Sequence, residues 1–171
     1  MTPDQAEFLL NTFLPSVRKE SETTLRVIRA VPPSQGAYRP HPSSRSALEL
    51  VWHIASADIW FLDSFLAGDF DMEDDTMPAD FSTTEDIALW YEENFNPKLD
   101  EVSKLPASFW AAPLPFFGIF NYPAVMYVQF MLNHTIHHRG QLTAYLRPMG
   151  AKVPNIYGGS FDEPMEAPPG E

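Results

Sequence analysis

The residues best suited to chemistry are five histidines: His41, His53, His134, His137 and His138. Three of them fall in the window His134-Thr135-Ile136-His137-His138. Helical residues advance by about 100° each, so His134 and His138 stand about 40° apart, one turn above the other. Two imidazoles so placed can converge on one metal ion. His137 lies about 60° to the other side of His134 and is the alternative ligand at i+3. Gln141 and Tyr127 share the His134 face, two turns after and before it. A pair on a solvated surface would show the same spacing, so a third ligand from another helix is needed to make a site.

His53 is the other histidine inside a strongly periodic segment, among Val51, Trp52, Ile54 and Ala55. A buried imidazole there requires a polar partner. Three neutral imidazoles with an open position form a catalytic type of zinc site, and the same donors suit nickel, iron or copper. His41 lies in a proline-rich connection and reads as a solvated loop residue. Arg139 projects roughly opposite the metal face, which favours a salt bridge or subunit contact over contact with substrate.

Four helices must position these side chains. The first opens at Thr2, with Pro3 in the first turn and Gln5 completing a capping box, and ends at Pro32-Pro33; Pro15 is a point of expected kinking. The second starts near Ser43 or Ser44 and carries Leu48, Val51, Trp52, Ala55, Ile59, Leu62, Phe65 and Leu66 before Gly68. Asp69 to Asp80 reads as an acidic, solvated loop. The third helix begins near Ser82 to Thr84, with Pro97 expected to bend or interrupt it. The fourth runs from about Asn121 or Pro123 to Arg147, preceded by an aromatic loop over Ala111 to Phe120. No strand pattern of any length competes. The expectation is an all-α four-helix bundle over residues 1–150, with 151–171 as an extended tail of the same domain.

Hydrophobic residues make up 44% of the 171, enough for a core that offsets the entropy of ordering the chain. Eleven Lys and Arg against 23 Asp and Glu leave a net charge of −12, which repels nucleic-acid phosphates and anionic membrane surfaces. The absence of cysteine removes disulfides and protein thiolates from consideration. The opening residues lack a signal-peptide pattern, and no apolar run is read as approaching the roughly 20 residues of a membrane span. A soluble, cytoplasmic protein is expected.

Three blocks carry a family resemblance. They are Tyr38-Arg39-Pro40 through Ser46 leading into Glu49-Leu50-Val51-Trp52-His53-Ile54-Ala55, then His134 through Leu142 with its His-Arg-Gly-Gln core, and Val153 through Glu163. On these the chain resembles the DinB-like family, grouped with YfiT-like metal-dependent enzymes. The resemblance implies a four-helix bundle of crossover topology, a homodimer, and a divalent metal, zinc or nickel, held by His53, His134 and His138. It also implies chemistry with low-molecular-weight thiols, since relatives include thiol S-transferases and an isomerase.

The leading expectation is therefore a metal-dependent transferase that joins a small thiol to a small-molecule electrophile. Glu49, one turn before His53, together with Tyr127 and Gln141, are candidates for contacts to ligands or substrate, chosen by helical phase. The alternatives are a metal-dependent hydrolase, with Glu49 as general base, and a non-enzymatic metal- or ligand-binding module. Trp52, Trp60, Phe116 and Phe117 suit a pocket wall, although ordinary core packing accounts for such residues more often.

Overall fold

Caps and prolines set the element boundaries. The computed structural model describes residues 1–71 and 75–165. Helix α1 spans Pro3–Arg29, its Thr2 cap and Gln5 forming the expected capping box, and it runs through Pro15 without a break. Helix α2 spans Ala47–Ala67. Its N-cap is Ser46, not Ser43 or Ser44, because Ser46 alone pairs reciprocally with Glu49: Glu49 N–H donates to Ser46 Oγ, and Ser46 N–H donates to the Glu49 carboxylate. Gly68, in the left-handed region at φ 73°, closes the helix. Helix α3 spans Thr84–Val102, capped by Thr83 and Asp86, and continues through Pro97.

A short helix α4, Ala107–Ala111, precedes the segment expected to be a loop. That segment is instead a hairpin, with β1 at Pro113–Phe116 and β2 at Phe120–Pro123 in antiparallel register from Pro113↔Pro123 to Phe116↔Phe120. The turn bonds Ile119 N–H to Phe116 O at 2.9 Å, with Phe117 at φ 50° and Gly118 at φ 68°. Two consecutive positive φ values match the twist of a tight hairpin. Helix α5, Ala124–Leu146, begins just after the second strand.

The four long helices form a ring in the order α1, α3, α2, α5, so helices consecutive in sequence, α1 and α2, lie diagonally opposite. The all-α bundle expected from the sequence is present, with the hairpin, the short helix α4 and a 3-10 turn at Pro33–Gln35 added among the described residues. Helix α2 is buried against α3 and α5. It is 21 residues long and contains an 18-residue window of mean hydropathy 1.2, long and apolar enough to cross a membrane by length and composition, contrary to the expectation from the sequence. With 61% of that window buried inside the bundle, the apolarity is accounted for by the core. The segment 151–165 is extended and returns over the bundle; residues 166–171 of the expected tail, and 72–74 of the acidic stretch, lie outside the described residues.

Candidate metal centre

Helices α2 and α5 face each other, and this contact brings three imidazoles to one point. His53 comes from α2, while His134 and His138 come from successive turns of α5. His53 Nε2 lies 3.2 Å from His134 Nε2 and 3.3 Å from His138 Nε2. The ring centroids are 4.4–4.9 Å apart, in edge-to-face arrangements. All three donor atoms lie within 4.8 Å of one another, so the group is able to hold a metal ion. Nitrogens about 2.0–2.1 Å from a tetrahedral ion would be roughly 3.3–3.4 Å apart, which the two shorter separations match.

The protons point the other way. His138 Nδ1 lies 2.7 Å from Gln141 Oε1, an oxygen that only accepts, so Nδ1–H donates and Nε2 carries the lone pair. His53 Nδ1 faces Asp75 Oδ2 at 3.4 Å, which favours the same tautomer. His134 Nδ1 is buried without a hydrogen-bond partner among the described residues. Burial is the main cause that lowers the pKa of His134 to about 3, with the neighbouring imidazoles His138, His53 and His137 adding to it. Burial and then Arg45 lower His53 against the pull of Asp75; burial lowers His138 against Gln141. Near neutral pH the rings are uncharged, and His53 and His138 keep their Nε2 lone pairs toward the cluster; neutral imidazoles are the form that ligates.

A family model described as the DinB family matches residues 4–170. The chain belongs to the DinB family. Among solved structures, a DinB-like protein from Bacillus cereus superposes with a TM-score of 0.71 at 26% identity, covering 86% of this chain and 97% of that one. A DinB-like protein from Bacillus subtilis gives a TM-score of 0.69 at 21% identity, covering 85% and 96%, and supports the fold. No curated protein matches the sequence.

In this DinB-family chain the other residues singled out from sequence go to different places. Gln141 reaches His138, as described above. Glu49 is exposed and committed elsewhere: it accepts from Ser46 N–H at 2.7 Å and from Arg39 at 2.7 Å. Those two contacts, Ser46 first, hold its carboxyl below the usual range. Tyr127 is fully buried away from the histidines; its hydroxyl donates to Leu114 O at 2.8 Å and accepts from Tyr122 N–H at 3.0 Å, pinning the hairpin to α5. His137 is exposed, with its ring edge against His138 at 4.8 Å. His41 is exposed in its turn and accepts from Ser43 N–H at 3.1 Å. Arg139 forms a buried salt bridge with Glu20 at 2.5 Å and donates to Tyr157 Oη at 2.7 Å, tying α5 to α1 and to the C-terminal segment.

Sequence reasoning missed Asp75. Treated as part of a solvated loop, it folds back over α2, where Oδ1 accepts from Ser56 Oγ at 2.6 Å and its carbonyl accepts from Trp52 Nε1 at 2.8 Å. Asp58 was missed as well. It is fully buried one helical layer from the site, accepting from Tyr91 Oη at 2.6 Å and paired with the hydroxyl of Thr135, the neighbour of His134. A carboxylate inside the apolar run from Trp52 to Leu62 was the available signal. Beside His53 and His134 opens a chamber of about 450 Å³ with tryptophan and phenylalanine walls.

Proposed function

We propose that this protein is a metal-dependent enzyme whose divalent ion, zinc or nickel, is held by His53, His134 and His138. The observation that carries the reading is the convergence of three Nε2 atoms, with the Nδ1 atoms of two of the rings, His53 and His138, turned outward to Asp75 and Gln141. The histidines supply three ligands, and the chamber beside them leaves room for a small molecule to reach a further position.

The reaction best supported is transfer of a low-molecular-weight thiol to an electrophile. A divalent ion at the three nitrogens would lower the pKa of a thiol beside it. The chain contains no cysteine, so the sulfur comes from a cosubstrate. The thiol gives up its proton, its sulfur bonds to the electrophilic carbon, and the leaving group departs with the electrons of the broken bond. Gln141 and Asp75 orient the imidazoles, and the aromatic walls exclude water from the electrophile. Hydrolysis with Glu49 as base is less well supported, because that carboxylate is engaged by Arg39 and the α2 cap. A homodimer in the cytoplasm belongs to the same proposal.

The test is turnover of bacillithiol, mycothiol and glutathione with a panel of alkyl and aryl electrophiles, with and without added zinc or nickel. Metal-dependent thiol consumption that His134→Ala abolishes supports the transferase. Metal-dependent release of acid without thiol consumption supports the hydrolase instead, and bound metal with neither activity supports a binding module.

A further inference from the structure

The chamber has two chemically different ends. It runs along α2 from His53 to Asp63, roughly 15 Å of helix at about 1.5 Å per residue. One end holds His53, His134 and Asp75; the other holds Asp63 and Asp71. Between them stands Trp60, stacked parallel on Phe117 at 5.8 Å and 9°, with Phe116 edge-on at 6.1 Å. Phe117 occupies a left-handed backbone conformation, φ 50°, that a bulky side chain seldom adopts, and this turn delivers its ring to the chamber. Trp60 Nε1 donates to Asp71 O at 2.9 Å, which fixes the indole and holds Asp71 at the mouth.

The charges at the mouth are one-sided. Three carboxylates line the chamber, and among the described residues no Lys or Arg does. Lys98 reaches Asp63 from α3 and pairs with it, and Asp75 is engaged by Ser56 and His53. The Asp71 carboxylate has no ion-pair partner among the described residues and is exposed. Arg45 lies with Glu49 and Met77 in an adjoining depression that shares Trp52 and Asp75 with the chamber, so its positive charge acts at the histidine end and not beside Asp71. A rigid aromatic wall beside a free carboxylate, in a chain of net charge −12, suits a cation and opposes an anion.

We propose that the chamber selects an elongated organic cation, with an apolar or aromatic middle against Trp60 and Phe117, an ammonium group at Asp71, and its reacting end at the histidines. The last element rests on the proposed metal-dependent reaction; the ammonium end stands on the chamber alone.

The probes are 4-phenylbutylamine, 4-phenylbutanol and 4-phenylbutyrate, titrated into the full-length protein by calorimetry and followed by quenching of tryptophan fluorescence. The expected result is that the amine binds about tenfold more tightly than the alcohol and the butyrate binds most weakly in metal-stripped protein, with the amine preference shrinking as salt rises from about 20 mM to about 500 mM. Asp71→Asn should bring the amine to the affinity of the alcohol and leave the alcohol unchanged. Asp71 is exposed, so this variant is expected to fold, and the salt series reads the same contact in the wild type. An amine that binds no better than the alcohol, or a preference that persists in Asp71→Asn, overturns the proposal. His138→Ala, at a ring that does not line the chamber, separates the two readings: it should abolish metal binding and leave the amine preference intact, and a wild type that holds no metal yet prefers the amine would sink only the metal-dependent function.

Discussion

His53 Nδ1, in the second turn of α2, faces Oδ2 of Asp75, a residue beyond the end of that helix, at 3.4 Å. The same carboxylate accepts from Ser56 Oγ at 2.6 Å, so it is aimed from two sides. A carboxylate on the distal nitrogen fixes ring orientation and raises the basicity of the ligating one. Asp75→Ala is expected to weaken metal affinity by about 10–100-fold with the fold retained. Competition with a chromophoric chelator measures this, and unchanged affinity would remove Asp75 from the site.

The buried carboxylate of Asp58 gives a pH signature. Burial raises its pKa from 3.8 to about 7, against the lowering effects of Thr135, Tyr91 and Arg139. Two hydroxyls meet the carboxyl: Tyr91 Oη donates to Oδ2 at 2.6 Å, and the Thr135 hydroxyl is shared between Oδ1 and Met131 O. Between pH 3.8 and about 7 the folded state binds more protons here, so this contribution to stability is full below 3.8 and is lost as pH rises through 7. Asp58→Asn should therefore gain stability relative to wild type as pH rises from about 4 to about 8. Urea titrations at several pH values check the slope; a constant difference contradicts it.

His134 works in the opposite direction in the metal-free protein. Its folded pKa of about 3 lies below the ordinary 6.5, so the unfolded chain takes up the proton first. Stability present above pH 6.5 is lost as pH falls toward 3. His134→Phe should flatten this acid-side decline in thermal scans of chelated protein between about pH 6.5 and about pH 4.

Arg139 tests the frame around the site. Its guanidinium is almost wholly buried and engages Glu20, Thr24 and Tyr157. Removing one partner of a buried pair leaves the other uncompensated, so Arg139→Ala should cost about 3–5 kcal/mol in denaturant unfolding. Arg139→Lys is expected to recover only part of this, because an ammonium cannot span Glu20 and Tyr157 with a planar fork.

Tyr127→Phe is expected to cost about 1–2 kcal/mol by leaving Leu114 O and Tyr122 N–H without their partner. Metal content should be unchanged, because the hydroxyl serves the hairpin and not the histidines. Elemental analysis beside an unfolding curve measures both.

Much of this was legible in the sequence, for physical reasons. Helical phase put His134 and His138 on one stripe, and the apolar periodicity around His53 put it on a buried helix. The true α2 cap was readable as Ser46-Ala47-Leu48-Glu49, a capping-box pattern that competed with two upstream serines. Phase alone misplaced the setting of Tyr127, since a side chain two turns along α5 meets the hairpin, which no helical pattern announces. The strands of the hairpin are four residues each and interrupted by Pro113, Pro115 and Pro123, so they lack alternation; the Phe117-Gly118 turn was the usable signal. Asp75 was out of reach because it belongs to an acidic stretch of sequence with no period to tie it to His53.

The central claim is that His53, His134 and His138 hold one divalent ion together. Its most direct test is metal stoichiometry by elemental analysis of the full-length protein, after equilibration with zinc or nickel and gel filtration, for wild type and for His53→Ala, His134→Ala and His138→Ala. The account predicts about one ion per chain in the wild type and loss of most of it in each variant, with His137→Ala retaining it. Wild-type protein without bound metal, or histidine variants that keep a full equivalent, would contradict it.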